Sequence, residues 1–297
     1  MTTRAAEAKA KGAKRPAPGK EARERYRNKD NKVVPSVTTI IGAFRSSDAL
    51  IHWAWEQGAS GFDYRKTRDE AATVGSVVHK YAEFAIDHPR FRLPQTRTII
   101  KEEGLAPEAA AQVRKGFKAW QKWAEDNQLA HSIQEQRMVS ERYQFGGMVD
   151  MFTVRKQRTI LDYKTSKRLY LDHVIQIAAY GLLWKENNPC KECLSSGYSE
   201  AIGSEDEPNS WNRGKAYQIT CPKCKGTGTS KPIHKYGLIH LPKADVEDSK
   251  GNVIVKAGEP HVKEIPTEDI GVAEQLFLTY RQAYELQKQA RKLYGIK

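Results

Sequence analysis

Asp162 and Lys164 stand two residues apart at the end of an apolar run, Ile160-Leu161-Asp162-Tyr163-Lys164-Thr165-Ser166, which reads as a buried strand stopping on a charge and two hydroxyls. Side chains alternate along a strand, so the carboxylate and the ammonium share one face while Leu161 and Tyr163 take the other. Upstream, residues 144–154 read as a second strand and the polar residues 155–158 as the turn of an antiparallel hairpin, which brings Asp150 toward Asp162. Two carboxylates and a lysine so placed suit phosphodiester hydrolysis. The acids offer hard oxygen ligands to Mg²⁺ or Mn²⁺; the lysine orients or helps deprotonate a water and offsets charge on the phosphate. Taken alone, Asp-x-Lys is more commonly an ordinary surface ion pair. The weight therefore rests on the elements around it.

A helix is expected over residues 69–88, where Val74, Val78, Tyr81 and Ala85 recur at three- and four-residue steps. Gly75 and His79 share another face of it, with the glycine expected to leave room beside the imidazole. His79 is then either a structural histidine or a metal ligand. Val113, Phe117, Trp120 and Ala124 mark a packing helix over 107–127, and residues 133–139 read as a strand with Ile133, Glu135, Arg137 and Val139 on one face. Glu135 is a candidate for a further acid, or a solvated strand residue. After the hairpin comes a strongly apolar helix over 170–184, from which Gln176 and Tyr180, four apart, put two hydrogen-bonding tips on one face. A strand over 235–241, an edge strand over 262–265 and a helix over 267–293, with Ile270, Ala273, Leu276, Phe277, Tyr280 and Tyr284 as its buried stripe, complete an α/β reading. Nearer the start, Ser36 or Thr38 can cap a helix. Trp53 and Trp55 lie on an apolar helix and either pack in the core or stack on bases.

The chain has 297 residues, enough for one large domain or a domain with an insert, and its 49 Lys and Arg against 36 Asp and Glu leave +13. That charge suits a polyanion such as DNA. Residues 1–32 hold eleven Lys and Arg against four Asp and Glu, a net of +7, with almost no large apolar residue, and read as a disordered basic arm. Such an arm adds phosphate affinity or simply solubility. No run approaches the roughly 20 apolar residues of a membrane span, so a soluble, intracellular protein without a membrane partner is expected.

Helix with Gly75-x-x-x-His79, strand with Gly147-x-x-Asp150, strand with Asp162-Tyr163-Lys164 and helix with Gln176-x-x-x-Tyr180 together resemble the RecB-like branch of the PD-(D/E)XK nucleases. Val34-Pro35-Ser36-Val37-Thr38-Thr39 is similar to the opening of many phage-borne and CRISPR-associated exonucleases of that branch. The resemblance spans roughly residues 33–184. It implies a restriction-endonuclease-like core, a central mixed sheet flanked by helices, over 33–185 and 231–297. It further implies His79, Asp150, Asp162 and the Tyr163 carbonyl as ligands of a catalytic Mg²⁺ or Mn²⁺, Lys164 as the catalytic lysine, and Gln176 and Tyr180 as supports of the site that contact nucleic acid. The acid before the lysine is Asp rather than Glu, one methylene shorter. The activity so implied is that of a DNA nuclease, expected as an exonuclease of bacterial or phage recombination, repair or replication, with a protein of those processes as a further partner. A structure-specific or restriction-type endonuclease and an inactive DNA-binding protein are the alternatives.

Residues 186–230 break the α/β pattern and hold the only cysteines, Cys190, Cys193, Cys221 and Cys224. Two C-x-x-C pairs in a chain with no secretory signal favour a metal over disulfides, and the spacing fits a Cys₄ zinc site. Cys221-Pro222-Lys223-Cys224-Lys225-Gly226-Thr227-Gly228 resembles the knuckle of DnaJ-type zinc domains; in the first pair Ser195 replaces the first glycine and Gly197 keeps the second. A [4Fe-4S] cluster is the rival to zinc. In RecB-like nucleases its cysteines typically flank the core, whereas here all four lie in one insert.

Overall fold

The computed structural model describes residues 25–45, 48–88, 90–194, 196, 198–202, 216–248 and 250–296, without the side chains of 48–49, 130–135, 151, 201–202 and 216–217. Residues 1–24 of the expected arm, and Ser195 and Gly197 of the first knuckle, lie outside this set.

Five strands form the central sheet, β3 (Leu129–Ser140), β4 (Phe145–Val154), β5 (Gln157–Lys164), β8 (Lys235–His240) and β11 (His261–Ile265), while β6 (Tyr198–Ile202) pairs with β7 (Ala216–Thr220) and β9 (Val246–Glu247) with β10 (Val253–Val255) outside it. The order in the central sheet is β11-β8-β5-β4-β3, with β5 and β8 parallel and the other pairs antiparallel. The β4–β5 hairpin closes on Arg155 and Lys156, both with positive φ, the geometry of a tight turn that matches strand twist. Helices cover both faces. Against one lie α1 (Val37–Phe44), α6 (Leu171–Asn187) and α7 (Ile270–Tyr294), burying Phe145, Val149, Ile160, Tyr236 and Leu238 of the sheet. Against the other lie α3 (Tyr64–Asp87), α4 (Thr96–Glu103) and α5 (Pro107–Asp126), burying Phe152, Leu161, Tyr163 and Ile239. This is the mixed α/β architecture expected of a PD-(D/E)XK core.

Each helix has a local cause. Ser36 accepts from the Thr39 N–H (3.1 Å) and starts α1; Asp63 does the same for α3 through the Arg65 N–H (3.0 Å). α3 thus begins five residues before its expected start. Gly181 of α6 sits where a Cβ would come 2.5 Å from the buried Tyr236 hydroxyl and 2.9 Å from its ring. Gly181→Ala should therefore destabilise the fold by about 1–3 kcal/mol despite alanine's better helix propensity. A thermal melt checks this.

Several expectations are corrected. Residues 25–32, expected in the arm, include the start of a small hairpin of β1 (Tyr26–Arg27) and β2 (Val33–Val34). Tyr26 lies over Gly146, where a Cβ would clash with its ring, so one aromatic side chain anchors an otherwise polar stretch. Helix α2 (Asp48–Ala59) does not bury Trp55, which is 68% exposed. Trp53, edge-on to Tyr64 of α3, does find a partner ring. In β3 the register shifts between Ala130/Ser132 and Ile133/Gln136, so one alternating face does not run unbroken from Ile133 to Val139. The side chain of Glu135 lies outside the described residues. No helix among the described residues is long and apolar enough to cross a membrane.

Candidate active site

The β4–β5 ladder runs from Val154↔Gln157 to Met151↔Ile160, and Asp150 and Asp162 lie beyond its last pair. On its other side β5 stays paired with β8 from Thr159↔Lys235 to Lys164↔His240. The end of β5 is thus held by one neighbour, with its acid where the other has ended.

Lys164 Nζ lies 2.5 Å from Asp162 Oδ2 and donates to Gln176 Oε1 at 2.8 Å. The contact with Asp162 is one of charge and lacks hydrogen-bond geometry: Oδ2 is buried and without a hydrogen-bond partner. Gln176 Nε2 in turn donates to the Tyr180 hydroxyl at 2.8 Å, so the two residues one turn apart on α6 act as a relay behind the lysine. Gln176→Ala leaves one ammonium proton without its acceptor. The expected result is about a 10–100-fold loss of nuclease activity, as for supports of ligating groups generally, with little change in melting temperature; a digestion series and a melt check it.

Tyr163 points to the opposite face, where its buried ring lies among Trp120, Trp123 and Phe152. Burial pushes its hydroxyl well above the ordinary range, and the charges of Asp150, Glu83 and Asp162 add to this. The packed ring fixes the backbone, and the Tyr163 carbonyl accepts from His79 Nε2 at 2.8 Å. His79 holds its proton on Nε2 in this contact; as a metal ligand through Nε2 it would take the other tautomer. Gly75 makes its room for Thr165 rather than for the imidazole, since a Cβ there would lie 2.8 Å from Thr165 Oγ1. Tyr180 is also raised, first by burial and then by Asp162, with Asp150 contributing. Both tyrosines therefore sense both carboxylates.

Two residues not singled out from the sequence belong to these surroundings. Glu83 is one turn beyond His79 on α3 and its charge reaches Tyr163; the i, i+4 spacing is the signal that could have found it. His173 is lowered to about 4, by burial first and by Lys164 next, and its Nδ1 accepts from the Tyr170 N–H at 3.2 Å. It is a neutral ring at the start of α6.

A family model of the PD-(D/E)XK nuclease superfamily matches residues 51–219, more than half of the chain. The chain belongs to that superfamily. Membership implies metal-dependent nuclease activity on DNA. No curated protein matches the chain. In this PD-(D/E)XK protein the ligand atoms of His79, Asp150 and Asp162 are not drawn together as tightly as those of the cysteines: among the described residues only the four thiols form a set of three or more within 4.8 Å. The donors still fit a hard divalent ion. The buried Asp162 Oδ2 makes no hydrogen bond of proper geometry although the Lys164 ammonium stands beside it, and a carbonyl and an imidazole nitrogen face each other beside the same strand end.

Cys190, Cys193, Cys221 and Cys224 are all buried and reduced. Cys190 Sγ is 4.0 Å from Cys221 Sγ, and Cys193 Sγ 3.6 Å from Cys224 Sγ. The cluster follows the C-terminus of α6 and precedes β8, so it stands at the beginning of β5 and not at the Asp162–Lys164 end.

Proposed function

We propose that the chain is a DNA exonuclease in which His79, Asp150, Asp162 and the Tyr163 carbonyl hold Mg²⁺ or Mn²⁺ and Lys164 is the catalytic lysine. The observation that carries this is the buried Asp162 oxygen, paired with Lys164 by charge alone while Gln176 holds the lysine from behind. An ordinary surface ion pair is neither buried nor backed in this way, which weighs against the blander reading. The bound ion supplies Lewis-acid polarisation of the phosphate and of a water nucleophile.

The chain's own groups do the rest. Lys164 keeps a fixed ammonium at the strand end, where it aligns the attacking water by hydrogen bonding and offsets charge gathering on the phosphate oxygens. The water oxygen bonds to phosphorus as it gives up a proton to solvent, the P–O bond to the leaving nucleotide breaks, and the departing oxygen takes up a proton from solvent. Gln176 and Tyr180 hold the lysine against rotation, so its orientation is set before substrate arrives. Asp in place of Glu is one methylene shorter, and the opening beyond the last β4–β5 pair would leave its carboxylate free to hold an ion together with Asp150 and the Tyr163 carbonyl.

The RecB-like motifs and the basic charge support an exonuclease of bacterial or phage recombination, repair or replication, acting with a protein of those processes. Zinc is the proposed ion of the cysteine cluster. A tetrahedral site with Zn–S near 2.3 Å sets its sulfurs about 3.8 Å apart, and the Cys190–Cys221 and Cys193–Cys224 separations lie on either side of that value. An iron–sulfur cube would hold its four thiolates further apart.

Digestion of end-labelled linear DNA and of covalently closed circles, with Mg²⁺ or Mn²⁺, tests the reading. Loss of linear DNA with intact circles is expected. Cleavage of the circles would replace the exonuclease by an endonuclease, and inertness toward every substrate would remove the catalytic assignment.

A further inference from the structure

The last helix continues past the core that holds it. Of the 25 residues of α7, Ile270, Ala273 and Phe277 are buried, and none after Phe277 is. The helix nevertheless runs to Tyr294 and closes on Gly295, whose positive φ lets its N–H and that of Ile296 return to the Arg291 carbonyl. A stretch this short is a marginal helix in water unless something packs on it.

The outward face of α7 carries a second apolar pattern, apart from the stripe that meets the sheet. Val272, Thr279, Leu286 and Leu293 recur every seven residues, and Leu276, Ala283 and Ala290 follow the first three at four-residue steps. Alternating steps of four and three are the a/d heptad of a coiled coil. Val272, Leu286 and Leu293 are 79%, 57% and 76% exposed, while Leu276 leans on the core. Thr279 turns its hydroxyl back to the Gln275 carbonyl at 3.0 Å, which satisfies it within the helix and suits it to an apolar seam.

The residues bordering the seam narrow what it meets. Gln275, Gln282 and Gln289 stand on one side and Tyr280, Gln287 and Tyr294 on the other, so no border position is charged. Arg281, Glu285, Lys288, Arg291 and Lys292 all fall at heptad positions off the seam. Border charges are what select a partner of opposite sign or repel a like copy. Glutamines do neither and can hydrogen-bond to their own kind, so the seam is open to a second copy despite the chain's charge of +13. An acidic partner helix finds no cation here to answer it. A lipid surface calls for Lys or Arg beside bulky apolar residues, and this seam has Gln beside Ala. The chain's own residues 1–24 contain no Leu, Ile, Val or aromatic residue with which to fill it.

We propose that α7 pairs with α7 of a second copy as an antiparallel two-helix coiled coil, so that the protein is a dimer about a two-fold axis. The direction follows from side-chain size. In a parallel pair each layer faces its own kind, and Ala283 and Ala290 would meet alanines and leave gaps. In an antiparallel pair the two kinds of layer face each other, and the leucines of one helix cover the alanines of its partner. The contact uses no active-site residue and does not rest on the nuclease reading.

Light scattering and sedimentation of the full chain over a wide concentration range test this. Wild type should reach twice the chain mass of 33.6 kDa, and its melting temperature should rise with concentration. L286Q/L293Q places a residue of similar helix propensity at two exposed positions, so circular dichroism should be unchanged. The dissociation constant of the dimer should rise at least about a hundredfold, because burial of both leucines is lost on each helix. Ala290→Arg, which keeps the leucines and blocks the seam, should release monomers as well. K288A/R291A, off the seam, should leave the dimer intact. A wild type that stays monomeric throughout overturns the proposal, as does a dimer that survives both seam variants. If a monomeric wild type instead binds a synthetic Glu-rich amphipathic helix or phosphatidylglycerol vesicles, and L286Q/L293Q does not, the face belongs to an acidic protein or to a lipid surface and the dimer is withdrawn.

Discussion

Lys164→Ala should lower metal-dependent DNA cleavage by about 10²–10⁴-fold, the range for losing a group that positions or moves a proton in the transition state. Asp162→Ala should be at least as damaging, because it deletes both the proposed ion ligand and the counter-charge of the lysine. Stability should move differently. Asp162 and Lys164 have side-chain exposures of 13% and 18%, so removing either partner strands a charge that is mostly out of water. Each single variant is therefore expected to melt below wild type, while D162A/K164A, which strands neither, should melt above the sum of the two losses. This is the non-additivity of a coupled pair. End-labelled digestion and thermal melts of the four proteins decide it. Full activity in both single variants would end the catalytic assignment, and additive losses in stability would reduce the contact to a surface pair.

The centre of this site is legible in the sequence because strand and helix periods are local. Alternation along β5 is enough to put Asp162 and Lys164 on one face and Leu161 and Tyr163 on the other, and the four-residue step is enough to pair Gln176 with Tyr180. Features set by contacts distant in the chain escape such reasoning. Spacing offers Gly75 as room for His79, whereas its neighbour is Thr165, ninety residues on. The apolar look of Ala49–Trp55 suggests core, yet burial depends on what covers a helix, and Trp55 is left outside. The bulges in β3 leave no compositional mark, so simple alternation draws a face containing Glu135 through a strand whose register breaks there. Tyr26 looks like one aromatic residue in a basic arm, and only its meeting with Gly146 makes a hairpin of that stretch.

Cys221→Ser should remove about one zinc per chain and unfold the insert while leaving DNA cleavage nearly unchanged. Among the described residues, the insert's own buried cluster consists of the four cysteines, with Leu194 83% exposed and Tyr198 56% exposed beside them. Metal coordination must then supply most of what holds it, and structural zinc sites provide about 10–16 kcal/mol of apparent binding free energy at neutral pH. The effect should remain local for a geometric reason. The base of the insert is stitched to the core by Thr229 Oγ1 to the Asn188 carbonyl (2.6 Å), Trp184 Nε1 to the Lys231 carbonyl (2.8 Å) and the His234 N–H to the Arg158 carbonyl (2.8 Å). Arg158 lies near the beginning of β5 and Lys164 ends it, which at about 3.3 Å per strand residue separates the stitch from the lysine by about 20 Å. Limited proteolysis should consequently cut Cys221→Ser between residues 188 and 231 well before wild type, while the digestion rate on linear DNA stays within a few-fold. If the variant loses cleavage while its core still melts cooperatively, the insert acts on DNA and is more than a metal-held loop. If metal analysis of the wild type finds iron and the protein absorbs visible light, the zinc assignment falls, because four thiolates this close would then have had to spread around a cluster.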